Sequence, residues 1–300
     1  LGLLDDAALI DPPAGHQVVV TKDLMIAGVH FLPDDPPALV GRKLLRVNLS
    51  DLAAMGASPH GYVLGLCLSP ETDDDWIAAF ADGLRADQQE FGVVLLGGDT
   101  TATPGPLTLS LTAIGFVPSG AALQRGGGKP GDLVFVSGTI GDAALGLLAL
   151  RGELEDPSGH LASRYRLPRP RLALGATLRS LASAALDVSD GLMADLGHLC
   201  EVSGVSAVLR VHDVPLSEAA SQAVARAPAL LETVLTGGDD YELVFAAPPA
   251  ARKPVLALAS RCGVAVTEVG ALAAAGARTV EARDRQGHVM NFSRAGYRHR

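Results

Sequence analysis

The sequence predicts an α/β (α+β) protein of two mixed domains. Short apolar runs with strand character alternate along the whole chain with runs of helical periodicity. Of its 300 residues, 48% are hydrophobic and 19% charged, enough apolar material for full cores and too much for disorder. Near the middle a turn, Pro118-Ser119-Gly120, and a glycine-rich stretch over 125–131 interrupt the pattern. The domains are therefore expected over 1–124 and 125–300.

The elements follow in order. Val18-Val19-Val20 reads as a short buried strand ending at Thr21. Residues 39–55 carry a helical apolar stripe through Leu44, Leu45, Val47, Leu52 and Met55, stopped by Gly56-Ala57-Ser58-Pro59. A second strand spans 62–68. Asp73-Asp74-Asp75 suits the positive end of a helix running to Phe91. A buried strand over 93–96 runs into Gly97-Gly98-Asp99, and 107–114 alternates as a strand. In the second half strands are expected at 133–137, 205–211, 241–246 and 264–269, and 186–189 is expected to enter a turn. Helices are expected at 143–150, 169–181, 191–202, 216–227 and 249–261.

Composition narrows the function. A formal net charge of −9 argues against a nucleic-acid surface, and 4% aromatics leave few base-stacking platforms. Cys67, Cys200 and Cys262 are odd in number and far apart, which fits reduced thiols in the cytoplasm. Neither a membrane span nor a signal peptide is visible, and the start at Leu1, close to the first Asp pair, points to residues missing upstream.

Aspartate recurs beside Gly, Ser and Thr where apolar runs end: Asp5-Asp6, Thr21-Lys22-Asp23, Ser50-Asp51, Gly98-Asp99 and Asp187-Val188-Ser189-Asp190-Gly191. Carboxylates brought together repel unless cations neutralise them, so a divalent-metal site handling a polyphosphate is the simplest reading. Asp187 and Asp190 bracket a strand-to-helix turn, where Ser189 or Asp190 is placed to cap the helix. Capping accounts for one of them, not for a second carboxylate three positions earlier. Asp51 sits inside an amphipathic helix pattern, where propensity disfavours it. Gly126-Gly127-Gly128-Lys129-Pro130-Gly131 formally satisfies G-x-G-x-x-G but leads into a strand, so a dinucleotide fingerprint fails on context. A flexible interdomain loop is the expectation there, from which Arg125 and Lys129 could reach a phosphate. His30 taken alone reads as a structural histidine, and no nucleophile set stands out.

Taken together these motifs resemble the thiamine-monophosphate kinase family of the aminoimidazole-ribonucleotide-synthetase-like ATP-binding superfamily. The resemblance runs nearly end to end and includes Gly28-Val29-His30-Phe31, Asn48-Leu49-Ser50-Asp51, Gly97-Gly98-Asp99-Thr100-Thr101, Lys129-Pro130-Gly131-Asp132, Asp187-Val188-Ser189-Asp190-Gly191 and Gly237-Gly238-Asp239-Asp240-Tyr241-Glu242-Leu243. It implies two α/β domains, the N-terminal one pairing in a homodimer, and transfer of the ATP γ-phosphoryl group to thiamine monophosphate. It also implies that Asp6, Thr21, Asp23, Asp51, Asp99, Asp187 and Asp190 hold several Mg²⁺ ions. Gly98, Asp99, Arg125 and Ser189 would lie at ATP, and His30, Asp239 and Tyr297 at the thiamine phosphate. No covalent or general-base residue is required, since phosphoryl transfer rests on alignment and charge. The chain departs from the family pattern at Leu4, at Lys22 in the middle of a Ser/Thr-Thr-Asp motif, and at Asp239 where Glu is usual. Lys22 either removes a hydroxyl metal ligand or contacts a phosphate. Two alternatives stand beside this reading: another ATP-dependent synthetase of the superfamily, and a catalytically silent thiamine-phosphate-binding protein.

Overall fold

The computed structural model describes residue 3 and residues 7–297. The chain divides into two compact units, one of residues up to 52 with 57–122, the other of 53–56 with the chain from 123 onward.

In the first unit, strands β1 (His16–Ile26), β2 (Ser58–Leu68), β3 (Val94–Ala102) and β4 (Thr108–Pro118) form one sheet in the order β1-β4-β2-β3. β2 and β3 are parallel and connected through a helix, as parallel neighbours require; the other pairs are antiparallel. β1 does not end at Thr21. It continues with period two, Val19, Thr21, Asp23 and Met25 on the more buried face and Val18, Val20, Lys22 and Leu24 on the exposed one. The expected end rested on polar residues that in fact belong to the alternation. Likewise β3 does not stop before Gly97-Gly98-Asp99 but contains them.

Helix α1 (Pro37–Ala54) buries Leu44, Leu45, Leu49 and Leu52, and Leu52 packs on β4 at Gly115. Helix α2 (Asp74–Phe91) starts at Asp73, whose carboxylate accepts from the Trp76 N–H at 2.8 Å, and ends at Gly92 in the left-handed region. A buried ion pair ties the helices together. The Arg46 guanidinium donates to both Asp87 oxygens at 2.6 and 2.9 Å, and Arg42 adds a bond at 2.7 Å.

The second unit holds a six-stranded sheet in the order β10-β7-β9-β5-β8-β6, built from β5 (Leu133–Ser137), β6 (Ala184–Asp187), β7 (Val205–Arg210), β8 (Leu243–Ala247), β9 (Val266–Ala274) and β10 (Val280–Arg283). Successive residues of β5 and β8 fall into two apolar clusters. Val134, Val136, Val244 and Ala246 pack with helices α3 (Asp142–Leu150), α6 (Leu192–Ser203), α7 (Glu218–Arg226) and α8 (Leu230–Thr236). Phe135, Leu243, Phe245 and Ala247 pack with α5 (Leu172–Leu178) and α9 (Arg252–Arg261). Helices thus cover both faces, which is why these strands read as unbroken apolar runs. Phe135 and Phe245 are paired residues on adjacent strands with ring centroids 5.3 Å apart, each burial contributing about 1.5–3 kcal/mol.

Several expected elements shift. The helix expected over 169–181 is confined to α5, since Pro168 and Pro170 force extended backbone before it. A separate helix, α4 (His160–Arg166), precedes them and was not expected; nor were α8 and β10. The glycines at 126–128 form no loose loop. They press against Val202, Ser183 and Leu272, and the Gly128 N–H donates to Ser203 Oγ at 3.1 Å. No helix among the described residues is long and apolar enough to cross a membrane.

Candidate active site

The first group of carboxylates lies where β1 meets α1. The pleat puts Thr21 and Asp23 on the same face, and Asp51 comes from the helix. The Thr21 hydroxyl donates to Asp51 Oδ2 at 2.5 Å. Burial, and then the Asp51 charge, push the Asp23 carboxyl up to about 7. Two carboxylates and a hydroxyl so arranged offer oxygen ligands only, the donor set of a hard divalent cation. Lys22 points from the opposite face and donates to Ser110 Oγ. It therefore takes no place among these ligands.

Asp99 lies on β3, exposed, in the row that runs Leu24, Ser110, Gly65, Asp99 across the sheet. Its carboxylate accepts from the Thr100 N–H at 2.9 Å. Gly98 is fixed by close approach: a Cβ there would stand 2.2 Å from the Leu64 carbonyl oxygen. His30 follows β1 in a tight turn. Its Nδ1 accepts from the Ile26 N–H at 3.1 Å, which leaves Nε2 as the N–H of the neutral ring. Asp6 lies outside the described residues.

The second group lies wholly in the second unit. Asp187 ends β6, buried, and the chain turns through Val188-Ser189-Asp190-Gly191 into α6. Neither Ser189 nor Asp190 caps that helix. Asp195, one turn inside it, reaches back and accepts from the Asp190 and Gly191 N–H groups at 3.0 Å each. Burial and then the Asp190 charge raise the Asp195 carboxyl to about 7, against those two hydrogen bonds and the Arg125 charge. Asp190, Asp195 and His198 each bring one ligand atom within 4.8 Å of the others.

The loop 237–242 and residue 297 join the same place. The Asp239 N–H donates to the Ser189 carbonyl at 2.9 Å, Tyr241 N–H to Val188 at 2.8 Å, and Tyr297 N–H to Asp190 at 2.9 Å. Ser189, Asp190, Asp239 and Tyr297 are thereby brought together, with Arg125 near Asp195. Sequence reading missed Asp195, and missed the buried Asp240 and Glu242 with the arginines that face Glu242, Arg164 and Arg171. Asp240 and Glu242 stand in a motif it singled out, but their partners are distant in sequence.

Comparison with known proteins decides the family. Residues 4–117 match the N-terminal domain of AIR synthase related proteins and residues 129–282 their C-terminal domain. A thiamine-monophosphate kinase of Caulobacter vibrioides is 45% identical over 273 residues, 90% of this chain and 78% of the relative. The chain belongs to the thiamine-monophosphate kinase family. The crystal structure of the thiamine-monophosphate kinase from Stenotrophomonas maltophilia K279a superposes with a TM-score of 0.86 at 44% identity, covering 94% of this chain and 90% of that one. AaThiL, solved complexed with AMPPCP and TMP, gives 0.83 at 29% identity, covering 98% and 91%. The two-domain α/β architecture of thiamine-monophosphate kinases is therefore that of this chain, and both carboxylate groups stand within the two matched domains.

Proposed function

We propose that the protein transfers the γ-phosphoryl group of ATP to thiamine monophosphate, giving thiamine diphosphate and ADP. The observation that carries this reading is kinship over nine-tenths of the chain with thiamine-monophosphate kinases, one related structure holding AMPPCP and TMP.

The chain's own chemistry is binding, alignment and charge. Thr21, Asp23 and Asp51 form one oxygen set; Asp187 and Asp190 form another; Asp99 and Asp6 complete the proposed ligands. The raised Asp23 carboxyl supports a resident cation, because two half-buried carboxylates facing each other are stabilised by a positive charge between them. Mg²⁺ held there would neutralise charge on the phosphates. Gly98, Asp99, Arg125 and Ser189 are assigned to ATP, and His30, Asp239 and Tyr297 to the thiamine phosphate. With Nδ1 accepting from backbone, the neutral His30 ring carries its N–H at Nε2. The acceptor phosphate is already ionised near neutral pH (second pKa roughly 6), so direct in-line attack needs neither a general base nor a phosphoenzyme.

A second copy of the chain is the proposed partner. The face of the first sheet away from α1 exposes Val18, Val20 and Leu24 along β1, with Lys22 between the last two, and Val63 on β2, apolar surface that pairing would cover.

ADP release measured with and without thiamine monophosphate tests the activity. Release that depends on this acceptor is expected; binding without ADP release would replace the reading by a silent binding protein. Asp99→Asn and Asp190→Asn are expected to cut turnover and keep the fold. Near-normal turnover in both at saturating Mg²⁺ would sink the metal assignment.

A further inference from the structure

The loop 237–242 carries two non-glycine residues in the left-handed region, Asp239 at φ 73° and Tyr241 at φ 50°. Such backbone is strained and persists only where the surroundings over-determine it. Between and after them stand Asp240 and Glu242, both buried. The side chains thus alternate: 239 and 241 face outward and touch each other (Tyr241 Oη to Asp239 Oδ1, 3.4 Å), while 240 and 242 are anchors.

Each anchor is fully engaged. Asp240 accepts from the Gly141 and Ala143 N–H groups at 2.7 and 3.3 Å, at the start of α3. Glu242 accepts from Arg171 Nε at 2.6 Å and Nη2 at 2.5 Å, from Arg164 Nη2 at 2.9 Å and from Ser137 Oγ at 2.6 Å. Arg164 Nη2 also reaches the Asp240 carbonyl at 3.3 Å. The fit leaves no room: a Cβ on Gly138, itself at φ 58°, would lie 2.2 Å from Glu242 Oε1. Arg171 alone holds the carboxylate through a two-pronged fork, which fixes the angle of the carboxylate plane as well as its place. It lies 71 residues from Glu242 in sequence and is outside the core, with 17% of its side chain exposed.

We infer that Arg171 is a positioning residue for the phosphoryl acceptor, acting through Glu242 to hold the loop 237–242 so that Asp239 and Tyr241 present their side chains to that substrate. The inference rests on the proposed placing of thiamine monophosphate at Asp239. Removing the fork leaves Glu242 with Arg164 and Ser137, so the buried charge keeps a partner and the fold should survive.

The test compares the unaltered protein with Arg171→Gln and Arg171→Lys, varying acceptor and ATP separately and following amide hydrogen exchange. For Arg171→Gln the KM for thiamine monophosphate should rise roughly tenfold or more while that for ATP stays within about twofold. Exchange at the 239 and 241 amides should quicken, with the sheet amides unchanged. Arg171→Lys, which restores charge but not the fork, should recover only part of the acceptor KM. An unchanged acceptor KM, or a fall in thermal midpoint with both KM values moving together, would overturn the positioning role while leaving the kinase reading intact. No acceptor-dependent ADP release from the unaltered protein would overturn the kinase reading and this inference with it.

Discussion

The Thr21 hydroxyl and the Asp51 carboxylate meet at 2.5 Å and join an edge strand to the helix that covers it. Asp51, held in place, faces Asp23, whose carboxyl burial and the Asp51 charge raise to about 7. In the cation-free protein Asp23 keeps its proton below that pH, and a cation must displace it. Mg²⁺ binding measured by calorimetry in buffers of different ionisation enthalpy should release a proton at pH 6. Affinity should fall by up to about tenfold for each pH unit below about 7. Proton release that is unchanged in Asp23→Asn would contradict the assignment.

Asp195 makes the sign of a stability effect testable. Its carboxyl rises from 3.8 to about 7 in the folded protein, so between those values the folded state keeps a proton that the unfolded chain has lost. The resulting stabilisation is full below about pH 4 and is lost as pH rises to about 7. Asp195→Asn retains an oxygen acceptor for the Asp190 and Gly191 N–H groups but cannot ionise. In metal-free urea titrations the variant should gain on the parent as pH rises, by on the order of 3 kcal/mol between pH 4 and pH 8. A difference that does not vary with pH would refute it.

What the sequence disclosed follows from range. Apolar runs and the Asp-bearing turns at their ends are local patterns, so Asp23, Asp51, Asp99, Asp187 and Asp190 could be picked out and their strands and helices approximately placed. Thr21 and Lys22 looked like a strand ending because polar residues alternate with apolar ones there only once the whole of β1 is in view. Asp195, Arg164 and Arg171 carried no local signal. Arg164 finds Glu242 across 78 residues, and Asp195 caps a turn from inside a helix, where an acidic residue is ordinary. The short helix α4 and edge strand β10 are too brief to display a period.

Breaking the pair between α1 and α2 should be costly from one side and mild from both. Arg46 and Asp87 are 4% and 0% exposed, and Asp87→Ala would take from the buried Arg46 guanidinium the carboxylate that accepts two of its hydrogen bonds. A loss of about 3–5 kcal/mol is expected in urea denaturation. Asp87→Leu combined with Arg46→Met replaces charge with packing and should recover most of it. A double variant as unstable as the single one would show that the loss comes from shape rather than from a stranded charge.

Two adjacent glycines on β3 separate close approach from mere flexibility. At Gly98 a Cβ would stand 2.2 Å from the Leu64 backbone oxygen, and backbone cannot swing aside as a side chain can. At Gly97 a Cβ would meet nothing within 4 Å. Gly98→Ala should therefore part β2 from β3 locally, costing about 1–3 kcal/mol in denaturation. It should also weaken Mg²⁺-dependent ATP-analogue binding, because Asp99 is the next residue on the displaced strand. Gly97→Ala should stay within about 1 kcal/mol of the parent and bind normally. Equal losses at both positions would mean that the segment needs glycine for its backbone freedom, and that the Leu64 contact does not set the position of Asp99.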